Sequence, residues 1–306
     1  MTALTASLPA RPGTWARLKG GRALPLATVL AVLLVVWYLA SLWLNAPAAA
    51  ERLNRAGPDW TTQQFLEAVW KLDRPLLPTP DQVAADLWGS TVGRPVTSNR
   101  SLVYHAWVTM SSTLLGFVLG TLLGILLAVG IVHVPTLDRS LMPWVIASQT
   151  VPILAIAPMI VVVLGNLGLT GVIPKSIISA YLSFFPVTIG MVKGLRSPDP
   201  LQLDLMRTYS ASGAQLFWKL RWPASVPFLF PSLKIGISLA LVGAIVGELP
   251  TGAQAGIGAR LLTGSYFGQM IQLWSALVMA AILALLCVFA VTLAERAVIA
   301  SRGGRG

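Results

Sequence analysis

Six long, mainly apolar runs dominate this chain: Leu24–Leu44, Val103–Val132, Leu141–Leu164, Val172–Val192, Val226–Leu249 and Leu273–Leu293. About 20 such residues in a helix cross the hydrocarbon core of a bilayer. No water reaches that core, so the backbone must pair its own N–H and C=O groups, which favours helices. Only 11% of the 306 residues are charged, against about 25% in soluble domains. The expected fold is an all-α membrane protein with about six transmembrane helices. Prolines in the third and fourth runs predict kinked helices that line or border a cavity.

The charge balance also speaks against some functions. An excess of 22 Lys and Arg over 11 Asp and Glu would suggest nucleic acid as partner in a soluble protein. Here the cations flank apolar runs, as the positive-inside rule describes, so membrane lipid is expected and nucleic acid is not. Cys287 is the only cysteine, and His105 and His133 lack companions at ligand spacing, so no metal site is expected. There is no Gly-x-x-x-x-Gly-Lys-Ser/Thr loop for a nucleotide. No nucleophile–base constellation marks an enzyme. A secondary transporter needs ionisable groups at the membrane midplane. Glu248 and Lys234 instead lie near opposite ends of the fifth run.

With the N-terminus inside, 14 of the 22 cations fall on the cytoplasmic side, and both termini are expected there. Only Lys175 and Arg260 occupy short outer loops. The expected organisation is a cytoplasmic tail 1–23, a first transmembrane helix 24–44, a periplasmic segment 45–102, a five-helix core 103–296 and a cytoplasmic tail 297–306. Within the core, 193–223 is a basic, amphipathic cytoplasmic loop. The first apolar run is too long for a signal peptide's core, so a retained helix is expected. Its acid-free surroundings also fit an organellar transit peptide.

Two local patterns stand out. Gly116, Gly120 and Gly124 recur every four residues and predict a narrow helix face against which a neighbouring backbone packs. In Pro198–Pro223, Leu201, Leu205 and Tyr209 form an apolar stripe beside Asp204 and Arg207, and Ser210–Gly213 interrupts that helix. Ser212 and Gln215 have capping-box spacing, predicting a second helix Gly213–Leu220 that stops before Pro223. Such a pair either lies on lipid beside Lys219 and Arg221 or docks in a partner's groove.

Asp204-Leu205-Met206, then Ser210, then Leu220-x-Trp222-Pro223 follows the spacing of the EAA loop in bacterial ABC importer permeases. That loop reads Glu-Ala-Ala, three residues, Gly, nine residues, Ile-x-Leu-Pro. Asp204 stands for the Glu, Leu205 and Met206 for the alanines, and Ser210 for the Gly. From Leu77 almost to its end the chain resembles the nitrate/sulfonate/taurine branch of these permeases, which are type I importers with a MetI-like transmembrane domain. The resemblance rests on Leu77-Pro78-Thr79-Pro80, Pro152, Ala155, Pro158, Gly165, Phe184-Phe185-Pro186, Gly194-Leu195-Arg196, Asp199-Pro200, Glu248 and Gly256-Ile257-Gly258. Where the branch usually has Trp-Phe, this chain has Val163-Leu164.

The resemblance implies an importer permease of the bacterial inner membrane, working as a homodimer. Two cytoplasmic ATPases would use ATP and Mg, with no cofactor bound by this chain, and a periplasmic or lipid-anchored binding protein would deliver the solute. It puts Asp204, Leu205, Met206, Tyr209 and Ser210 in the ATPase contact. Polar residues of the third to fifth runs are candidates for the translocation path: Gln149, Thr150, Ser179, Ser183, Ser238 and Glu248. Glu248 is the only acid among them, with pairing to Arg260 or capping of the next turn as its structural role. The expected solute is a small anion of nitrate, sulfonate or taurine type, or a neutral pyrimidine-like precursor.

Overall fold

The computed structural model describes residues 23–57, 59–250 and 255–301. The expected tail 1–23 falls outside them apart from Ala23, and so do Arg302 and Arg305. The described residues divide into two compact units, one up to Ala84 and one from Ala85 onward.

In the first unit, α1 (Ala23–Ala56) is a single helix that runs well past Leu44. Most of its apolar side chains between Leu24 and Leu44 are exposed, as those of a helix facing lipid are. Beyond them the helix turns polar and gains partners. Buried Asn45 reads both faces of one backbone segment, accepting from Leu76 N–H (2.8 Å) and donating to the Leu77 carbonyl (2.8 Å). Ser41 and Trp37 donate to the carbonyls of Leu77 and Pro78. The Leu-Pro-Thr-Pro segment is thereby strapped to α1, at the entry to α3 (Pro80–Thr91). Between them α2 (Thr62–Trp70) starts at a Thr61/Gln64 capping box, and Val69 and Leu72 pack on Ala49.

The second unit is built around α7 (Val172–Leu195), which packs between α4 (Leu102–His133) and α10 (Trp222–Glu248). Two seams of small residues bring these helices close. On one side Gly116, Gly120 and Gly124 of α4 lie on α7: a methyl group would sit 2.5 Å from the Ser176 carbonyl oxygen at Gly116, 2.7 Å from that of Ala180 at Gly120 and 2.8 Å from that of Phe184 at Gly124. On the other, Gly194 of α7 backs onto Ser225, and Gly243 of α10 onto Ser179. In lipid, close packing of this kind drives helix association, because burying apolar surface gains little there.

The third apolar run is not one straight span. Helix α5 (Pro135–Ala147), a 3-10 turn (Ser148–Thr150) and α6 (Ile153–Asn166) follow each other with a 100° bend. Pro152 is the cause: it lacks an N–H, and its ring pushes Val151 into an extended conformation (φ −79°, ψ 121°). Tyr181 of α7 donates to the carbonyl of Ser148 at the break. Among the described residues five helices are long and apolar enough to span a membrane, or six with the bent pair counted as one. The expected all-α membrane fold is what the described residues adopt. Helix α11 (Ile257–Tyr266) leads into the last span, α12 (Met270–Ser301).

Candidate functional site

The basic segment after α7 forms a helix, a tight turn and a second helical start. Asp199 caps α8 (Pro200–Thr208): its carboxylate accepts from Leu201 N–H (2.8 Å), and Gln202 reaches back to the Asp199 N–H. At the other end Ser210 N–H donates to the Arg207 carbonyl and Ala211 N–H to that of Met206. This is a Schellman closure, whose turning residue adopts the left-handed conformation and is usually glycine. Ser210 does so here at φ +50°, alone among the described non-glycine residues. The Gly of the EAA pattern thus marks a conformational demand that this chain meets with serine.

Ser212 and Gln215 form the expected capping box and start α9 (Gly213–Leu216). The helix does not stop before Pro223. It widens into a π turn, Phe217–Arg221, in which Trp222 N–H donates to the Phe217 carbonyl, and then continues as α10. The widening falls where the Pro223 ring would meet the carbonyl four residues earlier, that of Lys219. Proline here opens the helix rather than ending it, and Gly213–Glu248 becomes one long element.

The resulting surface is unusual for a helix that also carries Gln202, Asp204, Arg207 and Thr208. Leu201, Leu205 and Tyr209 are 78%, 57% and 76% exposed, while Met206 is half-buried. Asp204 pairs with Arg207 within the helix at 3.0 Å. The chain that leads into this helix is held at the end of α7: Arg196 pairs with Asp138 at the start of α5 (2.8 Å), Leu195 is fully buried, and Gly194 lets α10 approach.

At the far end of α10 lies a cluster of opposite character. Glu248 is fully buried. Thr109 donates to its carboxylate (2.9 and 3.0 Å), Gly258 N–H donates to it (2.8 Å), and Lys175 Nζ stands 3.7 Å away. Of the two structural roles expected for Glu248, capping of the next turn is found, through Gly258 N–H, and pairing with Arg260 is not; the charged neighbours of Arg260 are Asp86 and Arg94, and burial lowers its pKa. Lys175 is not in a loop either, but buried in the first turns of α7, where it also donates to the Ala255 carbonyl. The hydroxyl of Thr109 accepts from Ile257 N–H (2.8 Å), and His105 Nδ1 accepts from Gly256 N–H (2.9 Å). Sequence reasoning missed Lys175, Thr109 and His105. The weak signal available was polar residues spaced along otherwise apolar helices.

The remaining path candidates are scattered. Ser179 and Ser183 are buried in the seams around α7, bonding to the carbonyls of Lys175 and Ala180. Ser238 is half-buried and bonds to the Lys234 carbonyl. Gln149 and Thr150 are exposed at the break of the third span. Lys234 itself pairs with Glu295 of α12 at 2.6 Å.

Comparison with known proteins agrees with this architecture. Residues 120–302 match the family described as "Binding-protein-dependent transport system inner membrane component". The "Probable ABC transporter permease protein" of Haemophilus influenzae is 30% identical over 216 residues, covering 71% of this chain and 83% of that protein. The formylaminopyrimidine transport permease protein ThiX of Halalkalibacterium halodurans is 33% identical, covering 60% and 68%. The taurine transport system permease protein TauC of Escherichia coli is 26% identical, covering 68% and 72%. With long apolar helices around α7 and the family match over more than half its length, this chain belongs to the binding-protein-dependent inner membrane components and is a permease subunit of an ABC transporter.

Proposed function

We propose that two copies of this chain form the translocation path of a bacterial importer whose ATPases dock on α8. The observation that carries the reading is the exposed Leu201–Leu205–Tyr209 stripe on a helix capped at both ends. An apolar stripe on a polar, preformed helix fits a groove on a soluble partner. In this reading α8 and both termini are cytoplasmic, consistent with the cations that flank the spans. The ATPases use ATP and Mg, and this chain binds neither. A solute-binding protein delivers cargo at the end of α10 that carries Glu248.

The solute is a small anion of sulfonate, taurine or nitrate type, or a neutral molecule resembling a pyrimidine precursor. Glu248 is charge-paired inside the protein, so it offers no free carboxylate to a cation. Exposed Gln149 and Thr150 at the broken span supply uncharged hydrogen-bonding groups. The ThiX and TauC likenesses span the same two solute types. Uptake into proteoliposomes holding permease, ATPase and binding protein tests this with taurine, nitrate, a pyrimidine precursor and a polyamine. ATP-dependent uptake of one of the first three is expected. Polyamine uptake, or uptake of any solute without the ATPase, would overturn it.

A further inference from the structure

The start of a helix leaves backbone N–H groups without partners and so attracts an anion. At the start of α11 the protein supplies the acceptors itself, from three different side chains. Gly256, Ile257 and Gly258 give their N–H groups in succession to His105, Thr109 and Glu248. The Nε2 of His105 faces the Asn99 carbonyl at 2.9 Å, which leaves Nδ1 to accept from Gly256. The glycines make this approach feasible. A methyl group on Gly256, whose φ is +128°, would overlap the Glu248 carboxylate, and one on Gly258 would lie 2.8 Å from the Glu248 Cβ.

We infer that this cluster clamps the turn 255–258 and α11 to α4 and α7, with Glu248 as the positioning residue, so that they move as one rigid piece when access switches. The claim of movement rests on the transport reading above; the clamp itself does not. Burying apolar surface between membrane helices gains little, because lipid tails replace it at little cost. A carboxylate that joins α10 to Thr109 of α4, Lys175 of α7 and Gly258 of α11 admits only one arrangement. The carboxylate is fully buried, which separates it from solute. Lys175 supplies the compensating charge. Loss of one charge leaves the other buried without that compensation, whereas loss of both removes the conflict.

The test compares Glu248→Gln, Lys175→Met and the double variant. Amide hydrogen exchange of the full-length permease in nanodiscs reads the clamp directly. Each single variant should speed exchange at 256–258 on the order of a hundredfold, with amides near Val187–Leu195 unchanged. The double variant should recover most of that protection. In the reconstituted complex each single variant should keep hydrolysing ATP while losing solute uptake, and the double variant should regain uptake. A merely structural role would lower hydrolysis and uptake together. Wild-type exchange at 256–258 in both single variants would overturn the clamp, as would a double variant no better than either. If a single variant does not assemble with its ATPase, exchange on the permease alone decides. Wild-type uptake without ATP would sink the transport reading and leave the exchange result standing.

Discussion

At the Glu248 end of α10, polar groups from four elements satisfy one another inside the protein; at the end that receives α8 and α9, apolar side chains face outward. Glu248, Lys175, Thr109 and His105 are all buried and bonded. Leu201, Leu205 and Tyr209 are exposed on a helix whose own backbone is fully capped. The first region is finished by its own chain. The second has spent its local hydrogen bonds on holding a shape and leaves its apolar groups for something else. Exposed leucines alone would mean little in a membrane protein, where lipid covers them. Their setting among Asp204, Arg207 and Thr208 sets this stripe apart from the lipid-facing spans.

The largest effect should come from the interior on which both regions depend. Gly120→Leu would drive a side chain into Ser183 and the Ala180 carbonyl, where even a methyl group overlaps. The cost should exceed about 3 kcal/mol, beyond ordinary overpacking, because the whole helix must shift. Membrane insertion should survive, while monodisperse protein on size exclusion and uptake should be lost. Wild-type yield and uptake would show that the α4–α7 seam tolerates separation.

A smaller effect is expected within the buried cluster. Thr109→Val removes the hydroxyl that donates to both oxygens of the Glu248 carboxylate and leaves Ile257 N–H without its acceptor. That should cost about 1–3 kcal/mol, seen as a lower melting midpoint with the fold retained. An unchanged midpoint would mean that the cluster is held by packing, and would blunt its contrast with α8.

The smallest effect should be a gain. Ser210 adopts a conformation that glycine reaches without strain. Ser210→Gly should stabilise the α8–α9 turn by about 1 kcal/mol, read as slower amide exchange at Ser210 and Ala211. Faster exchange would indicate that the serine hydroxyl supports the turn.

Much of this was legible in the sequence, for physical reasons that differ by residue. Long apolar runs announce spans because lipid leaves the backbone few other choices, and Gly116, Gly120 and Gly124 announce a seam because only one helix face lacks side chains. The Ser212/Gln215 box was readable because capping is local. Prolines in the third run announced a kink there, but not a break of 100° placed by Pro152 beside the polar Ser148–Thr150 turn, because a proline can equally bend a helix or open it. Pro223 misled in the other direction, because a π turn accommodated its ring. For Glu248 the capping of the next turn was legible because it is local, but its charge partner was not: Arg260 is near in sequence, while folding brings Lys175 there from a different helix.

Leu205→Glu tests the central claim most directly. It places a charge in the middle of the exposed stripe. If α8 is the docking helix, burying that unpaired charge should cost several kcal/mol. The measurement is co-purification of the partner ATPase with tagged permease, checked against the permease's own melting midpoint. The account predicts a folded Leu205→Glu permease, stable as wild type, that no longer retains its ATPase and does not transport. A Leu205→Glu permease that holds its ATPase and transports at the wild-type rate would contradict it and make α8 a helix that lies on lipid.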